Sequence, residues 1–254
     1  MSTAAERTIE LLRILTHEAE GLSVSVIAER LHTSVATASR LVQTMVDVGA
    51  LFRDPETSRI KIAIGLWGVG AAALRQVEFR RVVLSCVATA LTELGRVVHF
   101  GLPDRDHAIS VERLDLVGNL VLSTPLGWPV PYHAGTVGKP ILAFMKDEDR
   151  QRILSRGLER FTGSTITDRA LLEEELQRIR TCGFAVNRGE FRANGFAVGV
   201  PLFDVSGCPV ASLSTPASEQ EFNPEAPVVR SLVNLGRTIS LLLGHPEHPD
   251  SSFF

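Results

Sequence analysis

The residue types best suited to recognising another molecule lie in residues 34–47, where the two faces of one helical pattern differ. Apolar side chains recur at i, i+3, i+4 and i+7, which is the spacing of a buried helical stripe. The other face carries Ala36, Ser39, Arg40, Gln43 and Thr44. Guanidinium and amide groups can read base edges in the major groove of DNA, and hydroxyls can hold phosphates. This face predicts a DNA-reading helix.

Two shorter helical patterns come before this helix and a hairpin pattern comes after it. Residues 5–16 have helical periodicity, Ser23 is placed to cap a second helix, and Ser34 is placed to cap the third. Residues 51–62 alternate around a Pro-containing turn, which is typical of two short strands. Their expected orientations place Phe52, Ile60 and Ile62 inward and Arg53, Arg59 and Lys61 outward.

This order of helices and hairpin is typical of a winged helix-turn-helix, in which the hairpin follows the DNA backbone. A small helical bundle with a hairpin is the alternative interpretation. Charge does not separate the two, because residues 1–62 hold seven basic and eight acidic side chains.

Several separated segments resemble the IclR family of transcription regulators. In the first part of the chain they are ERTIELLRIL, GLSVSVIAERLHTSVATASRLVQTMVDVGAL and FRDPETSRIKIAIG. In the second part they are LSTPLGWPVPYHAGTVGKPILAF, TITDRALLEEELQRIRTCGFAVNRGE and VGVPLFDVSGCPVASLS. The resemblance implies that the third helix and the hairpin wing contact DNA. The implied contact residues are Thr33, Ser34, Ala36, Thr37, Ser39, Arg40, Gln43, Thr44, Arg53, Thr57, Ser58 and Arg59.

Two positions depart from the family pattern in turns where glycine is common. His32 stands in the helix-turn-helix turn, and Ser58 stands in the wing turn. A non-glycine residue is disfavoured at positive φ, although His is among the better tolerated types. We therefore expect a strained turn at these positions and an altered wing angle.

The rest of the chain predicts a connecting helix followed by a mixed domain. Residues 66–81 are apolar without a strong turn signal, and a second helical stripe runs from Val83 to Leu94. Strands are expected over 97–102, 108–111, 120–123, 196–203 and 209–214, and helices over 137–144, 169–181 and 228–243. This order predicts an α+β fold, and the resemblance implies that the second domain is GAF-like. The expected division is 1–64 for the winged helix-turn-helix, 65–81 for the connecting helix, 82–244 for the effector-binding domain and 245–254 for a flexible tail.

The resemblance also implies an effector pocket in the second domain. Its residues would be Gly135, Thr136, Val137, Asn187, Ala197 and Ser214, with the backbone N–H groups of the 135–137 turn able to receive a carboxylate. Ala197 stands where the family commonly has Cys or Ser, and Pro216 stands where a second Ser is common. The loss of these polar groups predicts a ligand that is less polar or larger than a short keto acid.

Other chemistries find little support in the residues. Only two residues separate Gly135 from Gly138, and Pro140 follows the lysine, so the segment lacks the spacing of a phosphate-binding loop. His99, His107, His133, Cys182 and Cys208 lack regular metal-ligand spacing. The carboxylates of residues 173–175 are expected on a solvated helix face. No catalytic motif is present, and we expect neither a cofactor nor a metal.

The composition is that of a globular protein, with 44% hydrophobic and 22% charged residues. No apolar run reaches a membrane span, and we expect a cytoplasmic location with no membrane partner. The expected partners are operator DNA, a small-molecule effector and the chain itself, as a dimer or a dimer of dimers. Trp67 is either a dimer contact or core. Two alternatives to a regulator remain: an enzyme that modifies the small molecule, and a module that binds a protein through its hairpin.

Overall fold

The computed structural model describes residues 3–115 and 126–246. It divides into two compact units, Met1–Val77 and Glu78–Phe254. The strand expected over 120–123 and most of the expected tail lie outside the described residues.

The first unit is a three-helix arrangement closed by a two-stranded antiparallel hairpin. Its elements are α1 (Ala4–Thr16), α2 (Val24–Arg30), α3 (Val35–Asp47), β1 (Leu51–Arg53) and β2 (Ile60–Ile62). Ser23 and Ser34 cap α2 and α3 by accepting from a backbone amide in the first turn, as predicted. The core of the unit is apolar, and its fully buried members include Leu11, Ile27, Ala38, Val42 and Ile60.

The predicted orientation of Phe52 was wrong. Phe52 is 48% exposed, whereas its neighbour Leu51 is buried. The hairpin register pairs Leu51 with Ile62 and Phe52 with Lys61. Because successive strand residues point to opposite faces, Ile60 and Ile62 can share the core face with Leu51 but not with Phe52.

The connecting helix is shorter than the expected 65–81. A 3₁₀ turn (Ile64–Leu66) leads into α4 (Trp67–Arg75), and α5 begins only at Arg80 and ends at Leu94. No α4 residue is buried, whereas Phe79 packs edge-on against Phe100 with ring centroids 6.4 Å apart. Helical periodicity could not locate the break between Arg75 and Arg80, because no Gly or Pro lies there. The break is instead set by the packing of Phe79 within the second unit.

The second unit is built on a six-stranded antiparallel sheet of order β5-β4-β3-β8-β7-β6. The strands are β3 (Val98–Pro103), β4 (His107–Leu114), β5 (Pro129–Pro131), β6 (Ala185–Arg188), β7 (Phe196–Phe203) and β8 (Pro209–Pro216). The remaining helices are α6 (Lys139–Phe144), α7 (Asp147–Leu154), α8 (Arg169–Cys182) and α9 (Pro227–Leu242). Strands β5 and β6 and helix α7 were not among the predicted elements. The predicted α+β class is confirmed.

The two faces of the sheet carry different side chains. Val98, Phe100, Val198, Val200 and Leu213 point to one face and form a core with α5 and α9. The alternate residues of the same strands point to the other face and are polar or small. Residues of α6, α7 and α8 form a second apolar cluster on that other face. This second face leaves room above the sheet that apolar side chains do not fill.

No helix within the described residues is long and apolar enough to cross a membrane.

Candidate DNA-binding surface and ligand cavity

Helix α3 presents its predicted reading face to solvent. Ala38, Val42 and Met45 are buried beneath the helix and hold it in the first unit. The predicted contact residues on the opposite side are accessible, with Ser34, Ala36, Ser39, Arg40, Gln43 and Thr44 exposed and Thr33 and Thr37 half-buried. The helix is therefore anchored from behind and free to enter a groove.

Local hydrogen bonds prepare the polar groups of this face. The Ser34 hydroxyl accepts from the Thr37 amide at 3.2 Å, and the two side-chain hydroxyls lie 2.9 Å apart. The Gln43 amide donates to the Asp47 carboxylate at 2.7 Å. Arg40 forms no ion pair with any residue of the described ranges. Its five donors are thus available to an external acceptor.

The wing turn is organised by Asp54. Its carboxylate accepts from the Glu56 and Thr57 amides, both at 3.0 Å, and lies 3.0 Å from the Lys61 ammonium. Hydrogen bonding from the Thr57 amide, followed by that from Lys61, lowers the pKa of Asp54 to about 2. Lys61, expected to face outward freely, is held by this carboxylate.

The two predicted wing arginines differ in their contacts. The Arg59 guanidinium donates to the Gly21 carbonyl at 2.9 Å and so ties the wing to the start of α2. Arg53 makes a longer contact, 3.4 Å, with the Ser58 carbonyl. Both side chains remain exposed, as does Thr57. Arg53 is the better placed of the two to move onto a phosphate.

His32 and Ser58 adopt the left-handed backbone conformation that was predicted for these two positions. This conformation is costly for any residue other than glycine. Their φ values are 48° and 56°, and they are the non-glycine residues with positive φ within the described ranges. A Cβ atom in the left-handed region clashes with the neighbouring carbonyl oxygen. Both turns of the first unit that adjoin the DNA-reading surface therefore store strain.

We expect Ser58→Gly to stabilise the first unit by about 0.5–1 kcal/mol, because the relief of left-handed strain exceeds the entropy cost of glycine. Native-state hydrogen exchange of the α3 amides measures this change. Glu56→Gly, in the same turn without positive φ, is the matched control and should destabilise. Equal effects of the two substitutions on stability would show that the backbone of Ser58 is not strained.

The second unit contains a cavity of about 250 Å³ on the open face of the sheet. The structure brings all six predicted effector residues to its wall: Gly135, Thr136, Val137, Asn187, Ala197 and Ser214. Pro216, named from the family pattern, also lines the cavity. The lining residues that were not predicted are His99, Val130, Phe191, Arg192, Asn194, Gly195 and Phe196. The alternation of β3 could have indicated His99, since it lies between inward Val98 and Phe100.

Strand register explains why residues far apart in sequence meet at the cavity floor. Ser214 of β8 pairs with His99 of β3 on one side and with Gly199 of β7 on the other. Ala197 pairs with Asn187 in the same way. Directly opposed residues share a face, so these side chains project into one space.

A tight turn over residues 133–138 forms another wall of the cavity. A Cβ at Gly199 would lie 2.2 Å from the Thr136 carbonyl oxygen, so only glycine lets this turn approach the sheet. The Thr136 hydroxyl lies 2.6 Å from the Ser214 hydroxyl, and the Ser212 hydroxyl donates to the Val137 carbonyl at 2.8 Å. The turn is therefore held at a fixed height above the floor.

A buried ion-pair network joins this turn to the opposite wall. Lys139 is fully buried, and its ammonium lies 2.7 Å from the Glu190 carboxylate and 3.2 Å from that of Glu175. The expectation of a solvated Glu175 was wrong, because this residue lies under α6. Burial raises the pKa of Glu175, but the hydrogen bond from Arg178 and the charge of Lys139 lower it by more, so the net pKa is lowered.

The floor of the cavity is electrically neutral near pH 7. Burial, reinforced by the nearby charge of Arg113, lowers the pKa of His99 to about 4, so its imidazole is uncharged. Within the described ranges, no cluster of three or more His, Cys, Asp or Glu side chains has the arrangement of a metal site. The arrangement is suited to holding a small organic molecule by packing and neutral hydrogen bonds.

The fold and the two surfaces define a class of protein. An exposed helix-turn-helix surface on one unit and a ligand-sized cavity in the other are the features of a DNA-binding regulator that responds to a small molecule.

Comparison with known proteins identifies the family. The model described as "Bacterial transcriptional regulator IclR C-terminal" matches residues 71–241, and that described as "IclR helix-turn-helix domain" matches residues 4–55. The chain belongs to the IclR family of bacterial transcriptional regulators. It is a DNA-binding transcriptional regulator with a C-terminal effector-binding domain.

Relatives and solved structures agree along nearly the whole chain. The transcriptional repressor AllR of Escherichia coli K12 is 27% identical over 252 residues, which are 97% of this chain and 92% of AllR. The transcriptional regulator KdgR of the same organism is 27% identical, covering 94% of this chain and 92% of KdgR. These relatives are named as regulators and not as enzymes.

The fold is also shared with solved structures. An IclR regulator of Alicyclobacillus acidocaldarius has a TM-score of 0.79 at 22% identity, covering 96% of this chain and 100% of that one. An IclR homologue of Microbacterium hydrocarbonoxydans, solved with 4-hydroxybenzoate, has a TM-score of 0.74 at 24% identity, covering 95% and 99%.

Proposed function

We propose that this regulator reads a pseudo-palindromic operator as a homodimer or a dimer of dimers in the cytoplasm, and that a small organic or aromatic acid in the cavity changes its operator affinity. The exposed face of α3, anchored by its buried stripe, carries this proposal. The reading residues would be Arg40, Gln43 and their neighbours, with Arg53 and Arg59 on the backbone. The cavity residues around Gly135 and Ser214 would hold the effector.

The chain itself offers a surface for the dimer. Ile64, Trp67 and Val69 are 89%, 66% and 66% exposed in and beside α4, none of whose residues is buried. Ile64 and Trp67 are three residues apart, and neighbouring exposed apolar side chains are typical of protein interfaces. A twofold interface here would repeat the patch on both subunits.

We expect Trp67→Glu to shift the protein from dimer to monomer, because the patch would then bury an unpaired charge. Sedimentation equilibrium over a range of concentrations measures the shift. Gln76→Glu at the exposed C-cap of the same helix adds the same single charge and serves as the control. If Trp67→Glu leaves the dissociation constant of the dimer unchanged, the interface lies elsewhere.

For the ligand, the volume and the uncharged floor favour small molecules with an apolar body. The cavity of about 250 Å³ is below the roughly 300–1,000 Å³ that is typical of sites for drug-sized molecules. The Microbacterium hydrocarbonoxydans homologue was solved with 4-hydroxybenzoate, a molecule of the class that we propose. Coupling to DNA requires the acid to bind the operator-competent and operator-incompetent states with unequal affinity.

Footprinting on the DNA upstream of the protein's own gene tests the function. We expect two protected half-sites separated by about one helical turn, or a multiple of it, and a change in protection when a panel of small acids is added. An unrelated duplex of equal length is the control. Absence of protection up to the concentration at which the unrelated duplex becomes bound would contradict operator recognition and favour a protein-binding module. Turnover of an added acid would favour an enzyme.

A further inference from the structure

One cation stands on the cavity wall without a carboxylate beside it. Arg192 is exposed, and its guanidinium carbon lies 5.4 Å from the centre of the Trp128 ring and 6.0 Å from that of Phe191. It forms no ion pair or side-chain hydrogen bond with residues 3–115 or 126–246. The planar group is thus positioned by aromatic stacking while its N–H donors stay available.

The charge of the cavity makes this residue distinctive. Among the described lining residues, Arg192 alone carries a permanent charge, and no Asp or Glu lies among them. A single cation on an otherwise neutral wall favours a monoanion over a neutral molecule or a dianion.

Buried polar and apolar side chains line the cavity together, and Arg192 lies at its solvent side. Thr136, Asn187 and Ser214 are buried and supply neutral hydrogen-bonding groups at the inner end. Val130, Val137, Phe191 and Phe196 line the space with apolar surface. Because Arg192 is exposed, it marks the solvent side. A ligand that satisfies the whole wall therefore combines a body that packs against apolar and neutral polar groups with an anionic group at its outer end.

The loop that carries Arg192 is held firmly. The Gly189 amide donates to the Gly195 carbonyl at 3.1 Å, and the Gly195 amide donates to the Arg192 carbonyl at 2.8 Å. Glu190 is anchored by Lys139, and its backbone amide donates to the Asn187 side chain at 2.9 Å. The guanidinium is therefore presented from a loop that is ordered before a ligand arrives, which lowers the entropy cost of binding.

We propose that Arg192 is the carboxylate-recognising residue of the cavity. The effector is then an aromatic or alicyclic monocarboxylic acid whose carboxylate lies at the outer end against Arg192 and whose ring points toward Thr136 and Ser214. This inference rests on the proposed function, since it takes the cavity to be the effector site. It assigns the carboxylate to Arg192 and not to the backbone N–H groups of the 135–137 turn.

Titration calorimetry with matched pairs of acid and carboxamide tests the assignment. The pairs are 4-hydroxybenzoate, 4-hydroxyphenylacetate, cinnamate and cyclohexanecarboxylate, each with its amide. We expect at least one acid to bind the wild-type protein about 2- to 5-fold tighter than its amide, which is the usual worth of an ion pair at an exposed guanidinium. Arg192→Met should bring that ratio close to one, and Arg192→Lys should restore part of it.

Arg188→Met is the matched control, because Arg188 is also an exposed arginine stacked on an aromatic ring, at 5.0 Å from Phe222, but it does not line the cavity. An acid preference that survives in Arg192→Met would place the carboxylate at the turn and overturn the inference. Failure of every acid to outbind its amide would overturn it too. Neither result bears on operator recognition, because the footprinting experiment without ligand tests operator recognition separately.

Discussion

Replacing Lys139 by Met is expected to lower the free energy of unfolding of the second unit by about 3–5 kcal/mol. The side chain is fully buried, and Glu190 beside it is nearly so. Removing the ammonium leaves the Glu190 carboxylate uncompensated in a medium that solvates charge poorly. Glu175 suffers less, because Arg178 also pairs with it at 2.8 Å.

Urea denaturation followed by Trp128 fluorescence measures this loss, in a Trp67→Phe background that removes the signal of the first unit. The double variant Lys139→Met/Glu190→Gln should recover much of the stability, because a neutral amide replaces the unpaired charge. A loss below about 1 kcal/mol, within the range of exposed pairs, would show that water reaches the pair. Ligand affinity should fall in Lys139→Met as well, since Glu190 begins the loop that carries Arg192.

Replacing Arg40 by Ala is expected to weaken operator binding by about 1–3 kcal/mol for each base contact that is lost. In the proposed dimer both half-sites lose the contact, so the total reaches about 2–6 kcal/mol if the two contributions add. Stability should change little, because Arg40 is exposed and points away from Ala38, Val42 and Met45.

Fluorescence anisotropy with the footprinted operator and with a scrambled duplex measures the effect. Arg13→Ala is the matched control: it removes the same charge from an exposed position on α1, outside α3 and the wing. A general electrostatic role would weaken both variants on both duplexes and change the salt dependence. An Arg40→Ala variant with unaltered preference for the operator would mean that α3 does not read bases through this residue.

The local patterns of the sequence determined the first unit almost completely. The stripe of Ala38, Val42 and Met45 and the caps Ser23 and Ser34 depend on residues within two helical turns, so their spacing alone specifies them. The left-handed turns at His32 and Ser58 were indicated by the family resemblance, in which glycine is common at both positions. The hairpin failed only at Phe52, since a one-residue shift in register exchanges the faces of a strand and nothing local fixed it.

The second unit shows where local pattern ends. Strands β3, β4, β7 and β8 were visible from their residue pattern and β5 and β6 were not, and the sheet order that brings His99, Asn187 and Ser214 to one floor is a property of long-range pairing. Family resemblance, and not periodicity, supplied the six cavity residues that were named beforehand.

Only the tertiary structure decided the state of the charges. Lys139 looked like part of a failed phosphate loop and Glu175 like a solvated carboxylate, yet the packing of α6 on α8 buries them together. Arg192 carried no sequence signal at all, and its role follows from a cavity wall that holds no other permanent charge among the described residues. The electrostatic free energy of a charged side chain depends on its solvent exposure and on the charges near it. Both are set by segments that are distant in the chain.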